Sequence, residues 1–225
     1  MSHQQQQDFC KLVNKYFFPD KEISILEIGS YNVNGTIRSI FTNSKKFIGV
    51  DVVNGPCVDV VYDGLNLNIL DHFDLSISCE CFEHNPYYLE NFKKMTELTK
   101  NDGVVVFTCA SIFRNEHGTT RTTLSDSPGS MMKWDYYRNL FKKDFTKIDL
   151  SKFFYKYQFY YNLGSHDLYF VGIKSKNFLY EFKLFNSEIF KQKKISNYPV
   201  SLSLIFRLLK KYIKLGLNKK KDQSF

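Results

Sequence analysis

The sequence contains no apolar run of about 18 residues, the length a membrane-spanning helix needs. Its N-terminus, Met1-Ser2-His3 followed by four glutamines, lacks the basic-then-apolar order of a secretory signal. Neither a spanning helix nor a cleaved leader is expected. Cysteine is present but unpaired in pattern: Cys10, Cys57, Cys79, Cys81 and Cys109 are odd in number and form no C-x-x-C pair. Most lie in apolar runs that read as strands, so reduced, buried thiols in a cytosolic protein are expected rather than a disulfide framework. Cys79-x-Cys81 puts two thiols on one face of a strand, but no second pair completes a zinc set, and no metal is expected. No internal repeat is visible. A full set of three close glycines, which a dinucleotide pyrophosphate needs to approach the backbone, is also missing.

What is present is a well-filled chain of 225 residues, 43% hydrophobic and 17% aromatic, with 22 Phe and 15 Tyr. That composition excludes disorder and fits one domain with extensions. The net charge of +8 is unevenly spread. From Lys174 onward there are 13 Lys/Arg against 3 Asp/Glu, a surplus of +10 that leaves residues 1–173 at −2. The body is nearly neutral, so the basic balance does not imply a nucleic-acid-binding core, and nucleic acid is not an expected partner. The reading divides the chain at 175/176, into a domain over residues 1–175 and a basic extension over 176–225.

Apolar, β-branched runs alternate with helical patterns. Strands are expected near 23–29, 45–51, 57–63, 73–79 and 103–109, and helices near 5–17, 34–42 and 86–99. The last helix has Asn85 as a cap and Pro86 in its first turn, followed by Leu89, Phe92, Met95 and Leu98 at helical spacing. Val104-Val105-Val106-Phe107 is the continuous apolar run of a strand covered on both faces. After residue 110 the periodicity stops. Residues 111–132 are polar and aperiodic, as functional or unstructured loops are. A helix over 134–145 and aromatic strands near 145–161 and 167–174 come next, the two strands joined by Asn162-Leu163-Gly164-Ser165 as a hairpin. The fold class is α/β: a Rossmann-like, doubly wound, mostly parallel sheet with an antiparallel last strand.

The chemistry concentrates at strand ends. Ile25-Leu26-Glu27-Ile28-Gly29-Ser30-Tyr31-Asn32-Val33-Asn34-Gly35 carries an acid at the end of an apolar run and then a glycine-bearing loop. About 20 residues later Phe47-Ile48-Gly49-Val50-Asp51 ends in a second acid, the layout of an adenosine-cofactor site. Asp51 can accept hydrogen bonds from ribose hydroxyls. Glu27 would welcome a cation where a pyrophosphate would be repelled, which favours S-adenosylmethionine over a dinucleotide. Asp63-Gly64 after the third strand is placed to reach an adenine ring. Cys79-Glu80-Cys81-Phe82-Glu83-His84 follows the fourth strand, where the topology of an open sheet places a ligand. Glu80 and His84 are candidate bases there, with loop capping as the simpler role for Glu83 and His84.

Together Leu26-Glu27-Ile28-Gly29-Ser30, Phe47-Ile48-Gly49-Val50-Asp51, Phe73-Asp74-Leu75-Ser76-Ile77-Ser78 with Glu83-His84, and Asn101-Asp102-Gly103-Val104 resemble the class I S-adenosylmethionine-dependent methyltransferases over about 23–110. The resemblance implies a seven-stranded sheet and S-adenosylmethionine as cofactor. It also implies Glu27 and Gly29 at the methionine part, Asp51 at the ribose and Asp63-Gly64 at the adenine. Ser30, Asn32, Gly35 and Glu80 complete the expected cofactor set. The sequence departs from the family's acid-x-Gly-x-Gly-x-Gly pattern, with its second glycine displaced to Gly35. It also lacks the Asn/Asp-Pro-Pro-aromatic motif of many amino-group methyltransferases. Ser78-Cys79-Glu80 stands in that place, which favours an oxygen acceptor.

The acceptor side is read from the later residues. His117-Gly118-Thr119-Thr120-Arg121-Thr122-Thr123 is dense in donors and suits a polyhydroxylated or phosphorylated acceptor. Thr119, Arg121, Tyr137 and Arg138 are the expected acceptor contacts, and His117, His166 and His84 the candidate bases. The loop and the 136–139 segment resemble a subgroup found with surface-polysaccharide functions, which implies a small-molecule, sugar or glycan acceptor. Two other readings stay open: an RNA or protein methyltransferase that uses its basic tail, and a cofactor-binding subunit without turnover. Leu202, Ile205, Leu209, Tyr212, Ile213 and Gly216 keep helical spacing, with Arg207, Lys210, Lys211 and Lys214 mostly off that face. Such a helix can dock on the domain, form a homodimer, or rest on an anionic inner-membrane surface.

Overall fold

A computed structural model describes residues 3–70, 72–192 and 194–199. The helices are α1 (Gln4–Phe17), α2 (Tyr88–Leu98), α3 (Pro128–Lys133), α4 (Lys142–Phe145) and α5 (Leu179–Ile189). The strands are β1 (Ile23–Ile28), β2 (Ser44–Asp51), β3 (Val60–Val61), β4 (Phe73–Cys79), β5 (Thr99–Ala110), β6 (Lys156–Asn162), β7 (Asp167–Ile173) and β8 (Ile195–Ser196). They form one sheet in the order β3-β2-β1-β4-β5-β7-β6-β8. The first five run parallel, while β7 is antiparallel to both β5 and β6. The expected doubly wound sheet with its antiparallel strand is therefore present. It holds eight strands rather than seven, because β8 pairs with Tyr161 and Asn162 of β6.

Alternation along each central strand divides the core in two. In β1, Leu26 and Ile28 face one layer while Ile23 and Ile25 face the other. In β5, Val105, Phe107 and Cys109 join the first layer, and Val104 and Val106 the second. The first layer is covered by Phe92, Met95 and Leu98 of α2, with Phe107 stacked between Phe145 at 4.4 Å and Phe170 at 5.1 Å. The second is covered by α1 and α5, whose Phe17 and Phe185 rings meet at 5.4 Å. Burying one phenylalanine side chain contributes roughly 1.5–3 kcal/mol, and α5 buries Phe182 and Phe185 where α1 buries Phe9 and Phe17.

The core continues past 175/176: Phe182, Phe185 and Ile189 of α5 are core residues, and β8 extends the sheet. The amphipathic pattern over 202–216 lies outside the described residues. No helix among the described residues is long and apolar enough to cross a membrane.

Four local expectations also change. The helix near 34–42 is a single tight turn, Ile37–Ser39, because Asn32 Oδ1 takes the Gly35 N–H at 2.7 Å and the Thr36 side chain caps the turn. The strand near 57–63 shrinks to Val60–Val61. The helix expected over 134–145 forms only at Lys142–Phe145. Upstream, the Arg138 N–H bonds to Glu83 O at 2.8 Å and the Leu140 N–H to Ala110 O at 2.9 Å, which takes donors a helix would need. For the strand near 145–161, the pairing starts only at Lys156, after the turn Leu150–Lys152.

Candidate functional site

Between β1 and β4 the strand order changes direction, and the cleft of an open sheet lies at the carboxyl ends of such strands. A cleft of about 820 Å³, including its open mouth, occupies that position. Glu27, Gly29, Ser30, Gly35, Asp51 and Glu80 line it. Gly29 has φ +80°, and a side chain there would meet the Cys81 Sγ at 2.4 Å, so glycine is required both by the turn and by the contact with the loop after β4. The Gly29 and Ser30 N–H groups bond to Val50 O at 2.9 and 3.1 Å, which ties the first loop to the end of β2.

Glu27 is buried, and its Oε2 has no hydrogen-bond partner. Burial pushes its pKa up to about 8, against an opposing pull from Arg38 and with a further push from Asp51. An isolated buried carboxylate of this kind is a poor neighbour for an anion and a good one for a cation. Asp51 is held differently. Its Oδ2 accepts from the Tyr31 N–H at 3.1 Å and its Oδ1 from the Val52 N–H at 2.7 Å, which orients the carboxylate at the cleft wall. Burial raises its pKa while these backbone bonds work against the rise.

Asn32 lies beside the cleft and spends its side chain on the Gly35 turn. Asp63 is turned to the surface, where it accepts from the Leu65 and Asn66 N–H groups at 2.8 and 2.6 Å. Gly64 packs on Trp134. In their place Val52, Tyr62 and Trp134 line that end of the cleft. Trp134 belongs to the post-β5 segment, which returns over the cleft and donates from Nε1 to His84 O at 2.6 Å. Gly129 comes with it: a side chain there would meet Asp51 Oδ1 at 3.1 Å. Nothing in the spacing of residues 111–134 signals this return.

Glu80 carries a positive φ of 51° and is buried in a charge cluster that sequence spacing does not show. His3 lies 2.9 Å from Asp167 and 3.7 Å from Glu80, and Arg114 lies 3.5 Å from Asp167 and 4.0 Å from Glu80. Burial disfavours the charge on His3, but Asp167 and Glu80 outweigh it and raise its pKa to about 10. Burial likewise opposes the Glu80 charge, and His3 and Arg114 bring its pKa down to about 2. Strand pairing sets Asp167 opposite Ala110, while His3 arrives at the start of α1 and Arg114 on the loop after β5.

The three candidate bases separate. His84 lines the cleft, and His117 lies behind it with the two Nε2 atoms 3.3 Å apart. Burial and the neighbouring imidazole hold His84 well below the ordinary histidine pKa, and burial lowers His117 as well. His166 stands apart against Phe113. Glu83, directly beside the pair, is buried with neither oxygen at full hydrogen-bond geometry; burial followed by Glu80 pushes its pKa up to about 8, against a weaker pull from the nearby Glu83 and Ala110 N–H groups. Among the expected acceptor contacts, Tyr137 packs edge-on to both imidazoles at 5.3 and 5.0 Å. Thr119 is buried and bonds to Glu116, Arg121 pairs with Glu116 and Asp135 at the surface, and Arg138 pairs with Asp144. The five thiols are free, and Cys10 and Cys79 lie 3.7 Å apart.

No family model matches the sequence, and no curated protein matches it either. Solved structures do. The 1,6-didemethyltoxoflavin-N1-methyltransferase of Burkholderia thailandensis, solved with 1,6-didemethyltoxoflavin and S-adenosylhomocysteine, superposes with a TM-score of 0.52 at 13% identity, over 76% of this chain and 78% of that one. An S-adenosylmethionine-dependent methyltransferase from Clostridium acetobutylicum gives 0.51 at 14% identity, over 78% and 93%. The N-terminal domain of EvdMO1, crystallised in the presence of S-adenosylhomocysteine and D-fucose, gives 0.51 at 14% identity, over 77% and 84%. At these identities the likeness is one of architecture, and it agrees with the strand order and the placement of the cleft. The chain has the class I S-adenosylmethionine-dependent methyltransferase fold.

Proposed function

We propose that this protein binds S-adenosylmethionine in the β1–β4 cleft and transfers its methyl group to an oxygen of a small-molecule or glycan acceptor. The observation that carries the reading is Glu27: a buried carboxylate at the cleft wall with an unpartnered oxygen, next to an Asp51 oriented by two backbone amides. A cationic amino-acid group satisfies the first, and vicinal hydroxyls satisfy the second. When bound, the cofactor supplies an electrophilic methyl on a sulfonium. The chain's own residues do the positioning. Val52, Tyr62 and Trp134 provide flat and apolar walls for a base, and the 126–129 segment covers the Asp51 end. Holding two reactants in line can supply much of the acceleration such a reaction needs.

The oxygen acceptor is favoured by the Ser78-Cys79-Glu80 sequence at the end of β4 and by the polar character of the acceptor side. There Glu80, His84 and Asn85 line the cleft and offer charge and hydrogen-bonding capacity suited to a polyhydroxylated molecule. Calorimetric titration with S-adenosylhomocysteine tests the cofactor. Wild type is expected to bind, and Asp51→Ala to bind about 10–100-fold more weakly, since a charged hydrogen bond contributes about 1.5–3 kcal/mol. No binding by wild type, or equal binding by a folded Asp51→Ala protein, overturns the assignment. Transfer of labelled methyl to a panel of hydroxylated and amino acceptors then tests the acceptor class.

A further inference from the structure

We infer that Glu83, His84 and His117 form a binding site for one divalent transition-metal ion, of the zinc or iron(II) type, at the acceptor side of the cleft. One ligand atom from each residue lies within 4.8 Å of the other two. All three residues are buried, with exposures of 0%, 3% and 8%. They arrive from two segments, the turn after β4 and the loop after β5, so no local turn requirement explains their meeting. Two imidazoles and a carboxylate form a donor set that suits such ions.

The geometry of the imidazoles is the first argument. His117 Nδ1 is 3.0 Å from Asn115 O, and a carbonyl oxygen only accepts, so Nδ1 carries the proton and Nε2 presents a lone pair. That Nε2 faces His84 Nε2 at 3.3 Å. In a tetrahedral site with metal–nitrogen bonds of about 2.0–2.1 Å, two nitrogen ligands lie about 3.3 Å apart. The pair is therefore already at ligand spacing. A metal-bound histidine that donates its other N–H to a carbonyl is also the usual support of such sites.

The unmet groups are the second argument. As a hydrogen-bonded cluster alone, the arrangement leaves His84 Nδ1 buried without a partner and gives the Glu83 carboxylate only the nearby N–H groups of Glu83 and Ala110, neither at full hydrogen-bond geometry. A buried polar group left short of partners forfeits the hydrogen bonds that water would give it. A cation among these residues gives the carboxylate its partner. The surroundings hold the set in place: the Arg138 N–H bonds to Glu83 O at 2.8 Å, Trp134 Nε1 to His84 O at 2.6 Å, and the Tyr137 hydroxyl reaches Asn115 O at 3.0 Å. Because His84 lines the cleft, the site has a route for an ion to enter.

The other buried group of the same residue types, His3, Glu80 and Asp167, differs in one respect. Arg114 stands against both of its carboxylates, so its negative charge is already matched. Charge balance thus selects Glu83-His84-His117 and departs from the metal-free expectation of the sequence. Metal binding itself does not depend on the methyl-transfer reading; its use, to polarise an acceptor oxygen in the cleft, rests on that reading.

The test uses the full chain, stripped with a chelator, dialysed and titrated with Co²⁺. One equivalent should bind, with the strong visible absorption of low-coordinate cobalt, and Zn²⁺ should displace it. His117→Gln and Glu83→Gln should each weaken binding at least tenfold, while His3→Gln leaves it unchanged. Zn²⁺ should also raise the melting temperature of the stripped wild-type chain, a readout that needs no variant. Failure of wild type to bind Co²⁺ or to gain stability from Zn²⁺ overturns the site. So does equal binding by folded His117→Gln and Glu83→Gln proteins, or a loss confined to His3→Gln. S-adenosylhomocysteine titration of the same stripped protein reads the cofactor assignment separately, so either proposal can fail alone.

Discussion

The cleft wall that carries Glu27 and Asp51 and the opposite wall that carries His84, His117 and Trp134 are assembled by different physics. The first is made of strand ends. β1 and β2 pair in parallel register, with Glu27 opposite Gly49 and Ile28 opposite Val50, so the acids that follow apolar runs arrive together because backbone ladders align them. The second is made of loop backbone crossing over itself. His84 meets His117 across 33 residues and Trp134 across 50, through side-chain and carbonyl bonds with no period behind them. A wall of the first kind holds its geometry for as long as the sheet holds. One of the second kind depends on a few individual hydrogen bonds, which makes it the part that specificity can vary.

The largest effect that would sharpen this contrast belongs to Glu27. Its folded pKa of about 8 lies above the unfolded value near 4.5, so between those values the folded chain keeps a proton that the unfolded chain releases. The Glu27 contribution to stability should therefore fall as pH rises from about 4.5 to 8 and level off above that, with a total on the order of a few kcal/mol. Glu27→Gln should make the fall clearly shallower and leave the share of Glu83, whose pKa is raised in the same way, as read by urea denaturation at several pH values. A wild-type profile flat from pH 5 to 8 would mean that Glu27 is not isolated at the cleft wall.

A smaller effect is expected on the other wall. Trp134→Phe keeps an aromatic side chain but loses the N–H donor to His84 O and part of the indole packed on Gly64, so it should cost about 1–3 kcal/mol locally. Faster amide exchange over residues 124–138 should accompany it, with little change in the exchange of β1 and β4. If exchange slows or stays the same, the return of the loop is held by something other than this bond. The smallest effect is at Arg121, which the composition of its loop marks for acceptor binding. Its side chain is 57% exposed and paired with Glu116 and Asp135, so Arg121→Ala should change stability by less than about 0.5 kcal/mol and leave cofactor affinity as it is. A large loss of methyl transfer in that variant would move Arg121 back to the acceptor and break the division between the walls.

Several of these features could be read from the residues alone. Six-residue β1 is buried throughout because its run is apolar but for Ser24 and Glu27, and the same logic located β2, β4, β5 and α2. Helix 134–145 failed for an identifiable reason. Its apolar spacing is real, but Glu83 O and Ala110 O take two of its backbone donors, and Asp135 adopts a φ of 44°. Asp63 shows a similar competition: its turn supplies three donors of its own, and the carboxylate closes locally at the surface. Competition between a local partner and a distant one is invisible to spacing.

By itself, the order of residues determined the parallel sheet, the antiparallel return, and the two acids at the ends of β1 and β2. These come from periodicities of two and 3.6 residues and from strand ends meeting at one edge, all short-range properties. Only the tertiary structure decided that α5 and β8 belong to the core. It alone joined His3 to Asp167, seated Trp134 on His84, and set two imidazole nitrogens 3.3 Å apart beside a buried glutamate. Those meetings depend on where long, aperiodic segments close, and closure is settled by packing and by which buried polar groups find partners.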